Sequence, residues 1–234
     1  MDIDSIIPVI HPEKYQFYIT VGLPGTGKTT FCKKLVELCP PENAKVISRD
    51  FWRTSLVWGM KKLGPIRRRK IEKNMDDLVT DKVIEELHYI LLYKPSVRII
   101  AFDGCHTLYA DLKWMLNKIR RLCFELDIKY EMNLVLVGTP QSDCNHALTN
   151  KKKGDYSDYM RDGCHKALPE EVFDLKRRQF EALVQHTPFH DIASFCEHVI
   201  IVPAYISSLA AKEEKWLGPD LPDLTPRKNL YFDE

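Results

Sequence analysis

The stretch FYITVGLPGTGKTTF, residues 17–31, joins a short apolar run to a glycine-rich turn and to the start of an amphipathic pattern. Residues 17–21 predict a buried strand, and apolar residues at 31, 35 and 38 predict a helix that ends before Pro40. A strand that runs directly into a glycine-rich turn and then a helix is the setting in which such a turn binds phosphate groups. This stretch therefore indicates a fold in which strands and helices alternate.

The rest of the chain continues this alternation. Strands are predicted at residues 45–47, 97–102, 133–137 and 199–202, and helices after residue 48 and at 75–93, 110–126 and 169–185. Short, nearly all-apolar strands are typical of a parallel sheet covered by helices on both faces. We expect an α/β fold with about five parallel strands, and a mobile excursion formed by the polar residues 141–168.

Composition limits the function classes. The 234 residues contain 34 Lys and Arg against 33 Asp and Glu, so any nucleic-acid footprint must be local. The seven cysteines form no C-x-x-C pair, and the Cys-His pairs lack the spacing of zinc ligands, so we expect reduced thiols and no zinc site. No apolar run is long enough to cross a membrane, and residues 1–15 do not fit a secretory signal. The expected location is cytoplasmic or nucleoplasmic, or the host-cell cytoplasm if the protein is viral.

The glycine-rich turn satisfies the phosphate-binding loop pattern G-x-x-x-x-G-K-[ST] completely. Lys28 is expected to bridge the β- and γ-phosphates of ATP or another nucleoside triphosphate, and Thr29 to hold Mg²⁺. The glycines let backbone amides turn toward the phosphates. The expected nucleotide-binding residues are Gly22, Gly25, Thr26, Gly27, Lys28, Thr29 and Thr30.

Two acidic residues follow predicted strands, where α/β proteins place their sites. Asp103 comes directly after an apolar strand and is the expected second metal residue, although a simple turn residue before Gly104 would have the same pattern. Asp50 follows the second strand. Because Asp103 is the expected metal residue, Asp50 is a candidate general base toward an acceptor hydroxyl, or a cap of the next helix. Arg53 lies three residues later and would share the face of Asp50 if the segment is helical.

The most basic window of the chain is residues 61–73, with seven basic side chains against the single acid Glu72. Its centre is a candidate nucleic-acid contact that comprises Arg67, Arg68, Arg69 and Lys70. The aromatic residues Phe51, Trp52 and Trp58 precede this window and could stack on a base, with core packing expected for at least two of them. His106 could touch an acceptor, but an ordinary hydrogen-bonding histidine is the preferred interpretation.

Taken together, these residues resemble the bacteriophage-type 5′-OH polynucleotide kinases. The match spans about residues 16–202 in the same order, from the phosphate loop through Ser48-Arg49-Asp50-x-x-Arg53, the basic segment and Asp103 to Lys166-Ala167-Leu168-Pro169-Glu170. The resemblance implies a P-loop kinase domain at 16–202 with a lid at about 141–168. It leaves an N-terminal lead at 1–15 and a proline-rich extension at 203–234.

The resemblance also implies roles. Asp50 would be the general base, Arg53 would contact the acceptor phosphate, and a basic lid would clamp the donor phosphates. The family has two lid arginines close together, whereas this chain offers Arg161 and the run 151–153, separated by the acidic insertion 155–158. Arg161 is the preferred lid residue, and the lysines of 151–153 fit a solvated charge run equally well.

The expected function is the Mg²⁺-dependent transfer of the γ-phosphate of a nucleoside triphosphate to a hydroxyl of DNA or RNA, with the 5′-OH preferred. Related branches phosphorylate hydroxymethylated DNA bases, aminoacyl-tRNA or sugar nucleotides, and a small-metabolite kinase is a further alternative. A nucleotide-dependent switch or assembly factor is the alternative from another class. The sequence does not indicate an oligomeric state.

Overall fold

The computed structural model describes residues 13–60, 64, 67, 71, 74–138 and 170–203. The strands in these residues are short and largely buried, in agreement with the apolar runs. Their bounds are β1 Tyr15–Val21, β2 Ala44–Ser48, β3 Ile99–Asp103, β4 Tyr130–Gly138 and β5 His198–Pro203.

The strands form one parallel sheet in the order β2-β3-β1-β4-β5. β1 therefore lies at the centre, between β3 and β4, and the phosphate loop leaves it at the carboxyl edge of the sheet. Ser48 at the end of β2 pairs in register with Asp103 at the end of β3. The sheet order thus places three of the expected functional segments side by side along one edge.

The helices follow the strands as the periodicity predicts. Their bounds in the described residues are α1 Lys28–Glu37, α2 Arg49–Met60, α3 Met75–Tyr93, α4 Tyr109–Glu125, α5 Glu170–Leu183 and α6 His186–Ala193. The sequence analysis did not predict α6. Pro188 stands in the first turn of α6, where a missing N–H breaks no intrahelical hydrogen bond. Phe189 and Ile192, three residues apart and both buried in the core, form the apolar face that could have indicated this helix.

The sheet separates two apolar cores, because successive side chains of a strand point to opposite faces. Phe17 and Ile19 of β1 belong to the larger core, which α3, α4, α5 and α6 cover. Tyr18 belongs to the smaller core, which α1 covers with Phe31 and Leu35. This confirms the expected α/β class, with five parallel strands and helices on both faces. Together with the phosphate loop after the central strand, it is the α/β P-loop kinase fold.

Several expectations concern residues that lie outside this description. The lid at about 141–168 and residues 204–234 of the extension are among them, and the boundaries of the kinase domain at 16 and 202 stay a prediction. None of the described helices is both long enough and apolar enough to cross a membrane.

Candidate active site

The phosphate loop begins at Gly22 in a position that excludes any side chain. A Cβ at Gly22 would lie 2.3 Å from the carbonyl oxygen of Val137, at the end of β4. The amide of Gly22 also donates to the carbonyl of Cys105 at 3.1 Å, so the loop is tied to the segment that follows β3. The loop therefore packs directly against the ends of both strands that flank β1.

The loop passes into α1 through Gly27, which has φ 93° and ψ 14°, a left-handed conformation that glycine adopts without steric cost. Lys28 follows and is only 6% exposed. Its ammonium donates to the carbonyl of Leu23 and, at 3.2 Å, to the hydroxyl of Thr26. The first turn of α1 contains no acidic residue, so the positive end of the helix dipole faces the loop without a compensating carboxylate in that turn.

Thr29 and Asp103 meet at the start of α1. The Thr29 hydroxyl donates to a carboxylate oxygen of Asp103 at 2.9 Å, across 74 positions of sequence. Asp103 is only 6% exposed. A hydroxyl and a carboxylate at this distance are oxygen ligands of the kind that Mg²⁺ prefers.

A cluster of charged residues, Asp50 and Arg53, lies on α2 beside the end of β3. Ser48 caps the helix, because its hydroxyl accepts from the amide of Phe51 at 3.3 Å. Asp50 stands within the first turn, and its carboxylate lies 3.4 Å from the guanidinium of Arg53, as the three-residue spacing predicts. Arg53 also pairs with Asp76, in the first turn of α3. Burial opposes the charge of Arg53, but Asp76 and Asp50 together outweigh it and raise the pKa of the guanidinium.

The sequence analysis gave Arg49 no role of its own, and for His106 it preferred an ordinary hydrogen-bonding histidine over an acceptor contact. Arg49 is 9% exposed and donates to the Thr80 hydroxyl at 2.7 Å. His106 has φ 45° and lies 2.7 Å, through Nδ1, from the carbonyl of Thr20. A Cβ at Gly104 would lie 2.7 Å from the His106 ring and 2.9 Å from Cδ of Arg49, so both side chains pack on that glycine. The sequence signals for these two residues were the place of Arg49 beside Asp50 in the motif after β2 and the nearness of His106 to the end of β3.

The Cys105 thiol lies within electrostatic reach of both the phosphate loop and α2. Burial raises the pKa of its thiol, the charge of Lys28 lowers it, and the carboxylates of Asp50 and Asp103 raise it further. The Lys176 ammonium on α5 also lowers the pKa of this thiol. The phosphate loop, Asp50 and α5 therefore all lie within electrostatic reach of one position after β3.

The remaining predicted residues are distributed as follows. Gly25 lies in the loop with φ 85°, and the side chain of Thr30 is exposed on α1. Arg67 is exposed, whereas Arg68, Arg69, Lys70, Arg161 and residues 151–153 lie outside the described residues. Among the residues that the structure describes, no group of three His, Cys, Asp or Glu side chains could hold a metal ion.

The expectation of core packing for two of the three aromatic residues was wrong. Trp52 packs against the larger core, and its indole N–H donates to Glu86 at 2.7 Å. Phe51 is 49% exposed and Trp58 46% exposed. The two residues are seven positions apart, which places them on one side of α2, and this side faces solvent because Arg49, Trp52 and Thr54 occupy the inner side.

Comparisons with known proteins show only remote likenesses. No protein-family model matches the chain, and no curated protein matches it. A protein of the PezAT chromosomal toxin-antitoxin system of Streptococcus pneumoniae has a TM-score of 0.49 at 14% identity, covering 82% of this chain and 68% of that one. A candidate kinase from Chloroflexus aurantiacus has a TM-score of 0.47 at 11% identity, covering 82% and 86%.

A chain of the Pnkp1/Rnl/Hen1 RNA repair complex has a TM-score of 0.47 at 17% identity. The similarity covers 73% of the present chain but only 45% of that one. The fold assignment therefore rests on the strand order and the phosphate loop of this chain rather than on these likenesses.

Proposed function

We propose that the protein is a Mg²⁺-dependent phosphotransferase that moves the γ-phosphate of a nucleoside triphosphate to the 5′-hydroxyl of a nucleic acid. The observation that carries this proposal is the presence of two carboxylates with different partners at one sheet edge. Asp103 accepts a hydrogen bond from the Thr29 hydroxyl at the phosphate loop, whereas Asp50 forms an ion pair with Arg53 on α2. A phosphotransferase needs one carboxylate for the metal and another for the acceptor.

The residues at the donor side fit a nucleotide and a divalent ion. Thr29 and Asp103 would hold the ion, and a bound Mg²⁺ neutralises part of the phosphate charge. Lys28 would exchange its contacts with Leu23 and Thr26 for phosphate oxygens. Glycine at position 22 lets the loop pack against the Val137 carbonyl, where any Cβ would clash. Successive backbone amides of such a loop can form a concave site for phosphate oxygens.

At the acceptor side, Asp50 would take the proton of the attacking hydroxyl. A bond forms between that oxygen and the γ-phosphorus, while the bond from the γ-phosphorus to the bridging oxygen breaks and the nucleoside diphosphate leaves. Arg53, held between Asp50 and Asp76, would bind a phosphate of the acceptor. A nucleotide switch needs no such acceptor group, so the Asp50–Arg53 pair favours a transferase.

Three features of α2 and its surroundings support a nucleic-acid acceptor over a small metabolite. Arg53 is a partly exposed guanidinium beside the proposed base, and the basic window 61–73 follows the helix in sequence. The exposed ring of Phe51 stands next to Asp50 in an edge-to-face contact with Trp52, with ring centroids 5.4 Å apart. Basic and aromatic side chains together are typical of surfaces that bind single strands.

The test compares Asp50→Asn with Asp103→Asn. The wild-type protein is first incubated with labelled ATP and 5′-OH oligonucleotides, hydroxymethylated duplexes, aminoacyl-tRNA and free nucleosides. Asp50→Asn should keep nucleotide affinity, measured by titration calorimetry, but transfer phosphate about 10²–10⁴ times more slowly. Asp103→Asn should instead lose Mg²⁺-dependent nucleotide affinity. Asp77→Asn, an exposed acid in the first turn of α3, is the matched control and should behave as wild type.

Two results would contradict the proposal. If Asp50→Asn loses nucleotide binding in step with activity, Asp50 belongs to the metal site rather than to the acceptor site. If the wild-type protein phosphorylates nucleosides or a hydroxymethylated base but no 5′-OH end, the transferase assignment stands and the acceptor assignment is wrong.

A further inference from the structure

The guanidinium of Arg53 lies between two carboxylates that come from different helices. One of its terminal nitrogens donates to Asp76 in the first turn of α3, and the other lies 3.4 Å from Asp50 on α2. A phosphate binds best to an arginine through two parallel hydrogen bonds, and the two terminal nitrogens are one pair of donors that can provide them. Asp76 therefore occupies a donor that an acceptor phosphate on Arg53 would use.

The ion pair of Arg53 with Asp76 is placed where a ligand can replace it. The side chains of Arg53 and Asp76 are 43% and 64% exposed, so both groups meet water. Ion pairs exposed to this degree contribute little to stability, because water and salt screen them. An anion that reaches Arg53 can therefore displace Asp76 at small cost.

The contact between α2 and α3 does not depend on this ion pair. The hydroxyl of Thr80, a residue only 3% exposed, accepts from Arg49 at 2.7 Å and donates to the carbonyl of Asp76 at 3.0 Å. The indole N–H of Trp52 on α2 also donates to Glu86 on α3, at 2.7 Å. These contacts fix the backbone of Asp76 while its carboxylate is able to turn away.

The start of α3 also tolerates the loss of this carboxylate. Its first turn contains both Asp76 and Asp77, and both residues are exposed. An acidic residue in this turn is favourable, because it meets the positive end of the helix dipole. Asp77 keeps a negative charge there when Asp76 is displaced, so the needs of the helix do not explain the contact of Asp76 with Arg53.

We propose that Asp76 is a specificity-determining residue that holds Arg53 in the free protein and is displaced by a phosphate of the acceptor. The inference rests on the proposed function, in which Arg53 binds that phosphate. No covalent bond changes in this step, because one anion replaces another on the guanidinium. The carboxylate of Asp76 repels an approaching phosphate until it turns away, so Asp76 lowers the affinity for anionic acceptors and leaves neutral ones unaffected.

The experiment compares Asp76→Asn with Asp77→Asn, which removes the same charge from the same turn. Titration calorimetry measures the binding of a 5′-OH trinucleotide and of a free nucleoside, with ADP and Mg²⁺ present and no triphosphate, so that no transfer takes place. Loss of a like charge beside the bound phosphate should tighten trinucleotide binding by Asp76→Asn roughly 4- to 20-fold at low salt. Asp77→Asn and the charge-conserving Asp76→Glu should bind the trinucleotide like wild type, and nucleoside affinity should be the same in all variants.

A second pair of variants tests whether Arg53 mediates the effect. Arg53→Gln should weaken trinucleotide binding, and adding Asp76→Asn to it should give little further change, because no guanidinium is left to release. An equal gain with and without Arg53 would overturn the inference, because Asp76 would then act by general repulsion alone. Equal or weaker trinucleotide binding by Asp76→Asn, compared with wild type, would also contradict it, because the ion pair would then join the helices or orient Arg53.

These binding measurements separate the inference from the proposed function. If the wild-type protein phosphorylates no 5′-OH end, the proposed function fails, but an Arg53-dependent gain of affinity in Asp76→Asn would still support the displacement. Absence of measurable trinucleotide binding in both wild type and Asp76→Asn counts as equal affinity and stands against the inference. Melting temperatures of all variants identify any that fold poorly.

Discussion

At the scale of single residues, His106 is the most unusual side chain of the site. It adopts φ 45°, a left-handed conformation that is uncommon for residues other than glycine, and it is only 9% exposed. Nδ1 contacts the Thr20 carbonyl, which requires the proton on that nitrogen, and buried Nε2 has no hydrogen-bond partner among the described residues. The fold therefore holds this ring neutral.

This predicts acid sensitivity of the folded state. Burial first, and then the charge of Arg49, lower the pKa of His106 from 6.5 to about 3. As pH falls below 6.5, the unfolded chain takes up a proton that the folded chain refuses, so stability decreases between pH 6.5 and 3 by at most about 1.4 kcal/mol per pH unit. Above pH 6.5 this contribution is constant.

The measurement is the free energy of unfolding in urea at pH 7, 6 and 5. His106→Asn should flatten the decrease, because Asn tolerates the left-handed backbone and does not titrate. His88→Asn, an exposed histidine of α3, should leave the slope as it is in wild type. An unchanged slope in His106→Asn would assign the acid sensitivity to other groups.

At the scale of elements, the turn from β1 to α1 is held against the end of β4. The Cβ that Gly22→Ala adds would meet the Val137 carbonyl at 2.3 Å, and backbone cannot move aside as a flexible side chain can. We expect Gly22→Ala to lower the free energy of unfolding by about 1–3 kcal/mol and to weaken nucleotide binding, because the loop must shift.

Gly59 on α2 is the matched control, since a Cβ there would meet nothing within 4 Å. Gly59→Ala should be neutral or should stabilise the protein by up to about 1 kcal/mol through helix propensity. Urea unfolding midpoints compare the stabilities of the two variants, and calorimetric titrations compare their nucleotide affinities. Equal stability of the two variants would mean that β4 yields to the added methyl group.

At the scale of the whole molecule, charge is balanced in total but uneven along the chain. The net charge is +1, yet residues 61–73 concentrate seven basic side chains. If Arg67, Arg68, Arg69 and Lys70 contact an acceptor strand, replacing all four with Gln should raise the KM for long oligonucleotides. The slope of log affinity against log salt should also flatten by about 0.7 per lost phosphate contact on a single strand.

A control removes the same charge from the opposite edge of the sheet. Lys94, Arg120, Arg121 and Lys129 are exposed near the ends of α3 and α4 and the start of β4, away from the phosphate loop. Replacing these four with Gln should leave the salt slope and the KM close to wild type. If the two quadruple variants behave alike, the basic window is a solvated surface and not a binding path.

Much of the fold and of the donor side could be predicted from local sequence. The strand, glycine turn and helix of residues 17–31 are encoded by apolar periodicity and by glycine, which act over a few residues. The partnership of Thr29 with Asp103 and the facing of Asp50 and Arg53 also follow from simple rules, namely strand-end placement and the helical repeat. The functional roles of these residues remain predictions.

The sequence by itself determined the alternation of strands and helices, the phosphate loop and the short-range pair on α2, because each depends on contacts close along the chain. Only the tertiary structure decided the strand order, the exposure of Phe51 and the buried neutral state of His106. Those features depend on which helix packs on which strand, for example across the 86 positions of sequence between Thr20 and His106. Local patterns do not encode such packing, since the same amphipathic helix can cover either face of a sheet.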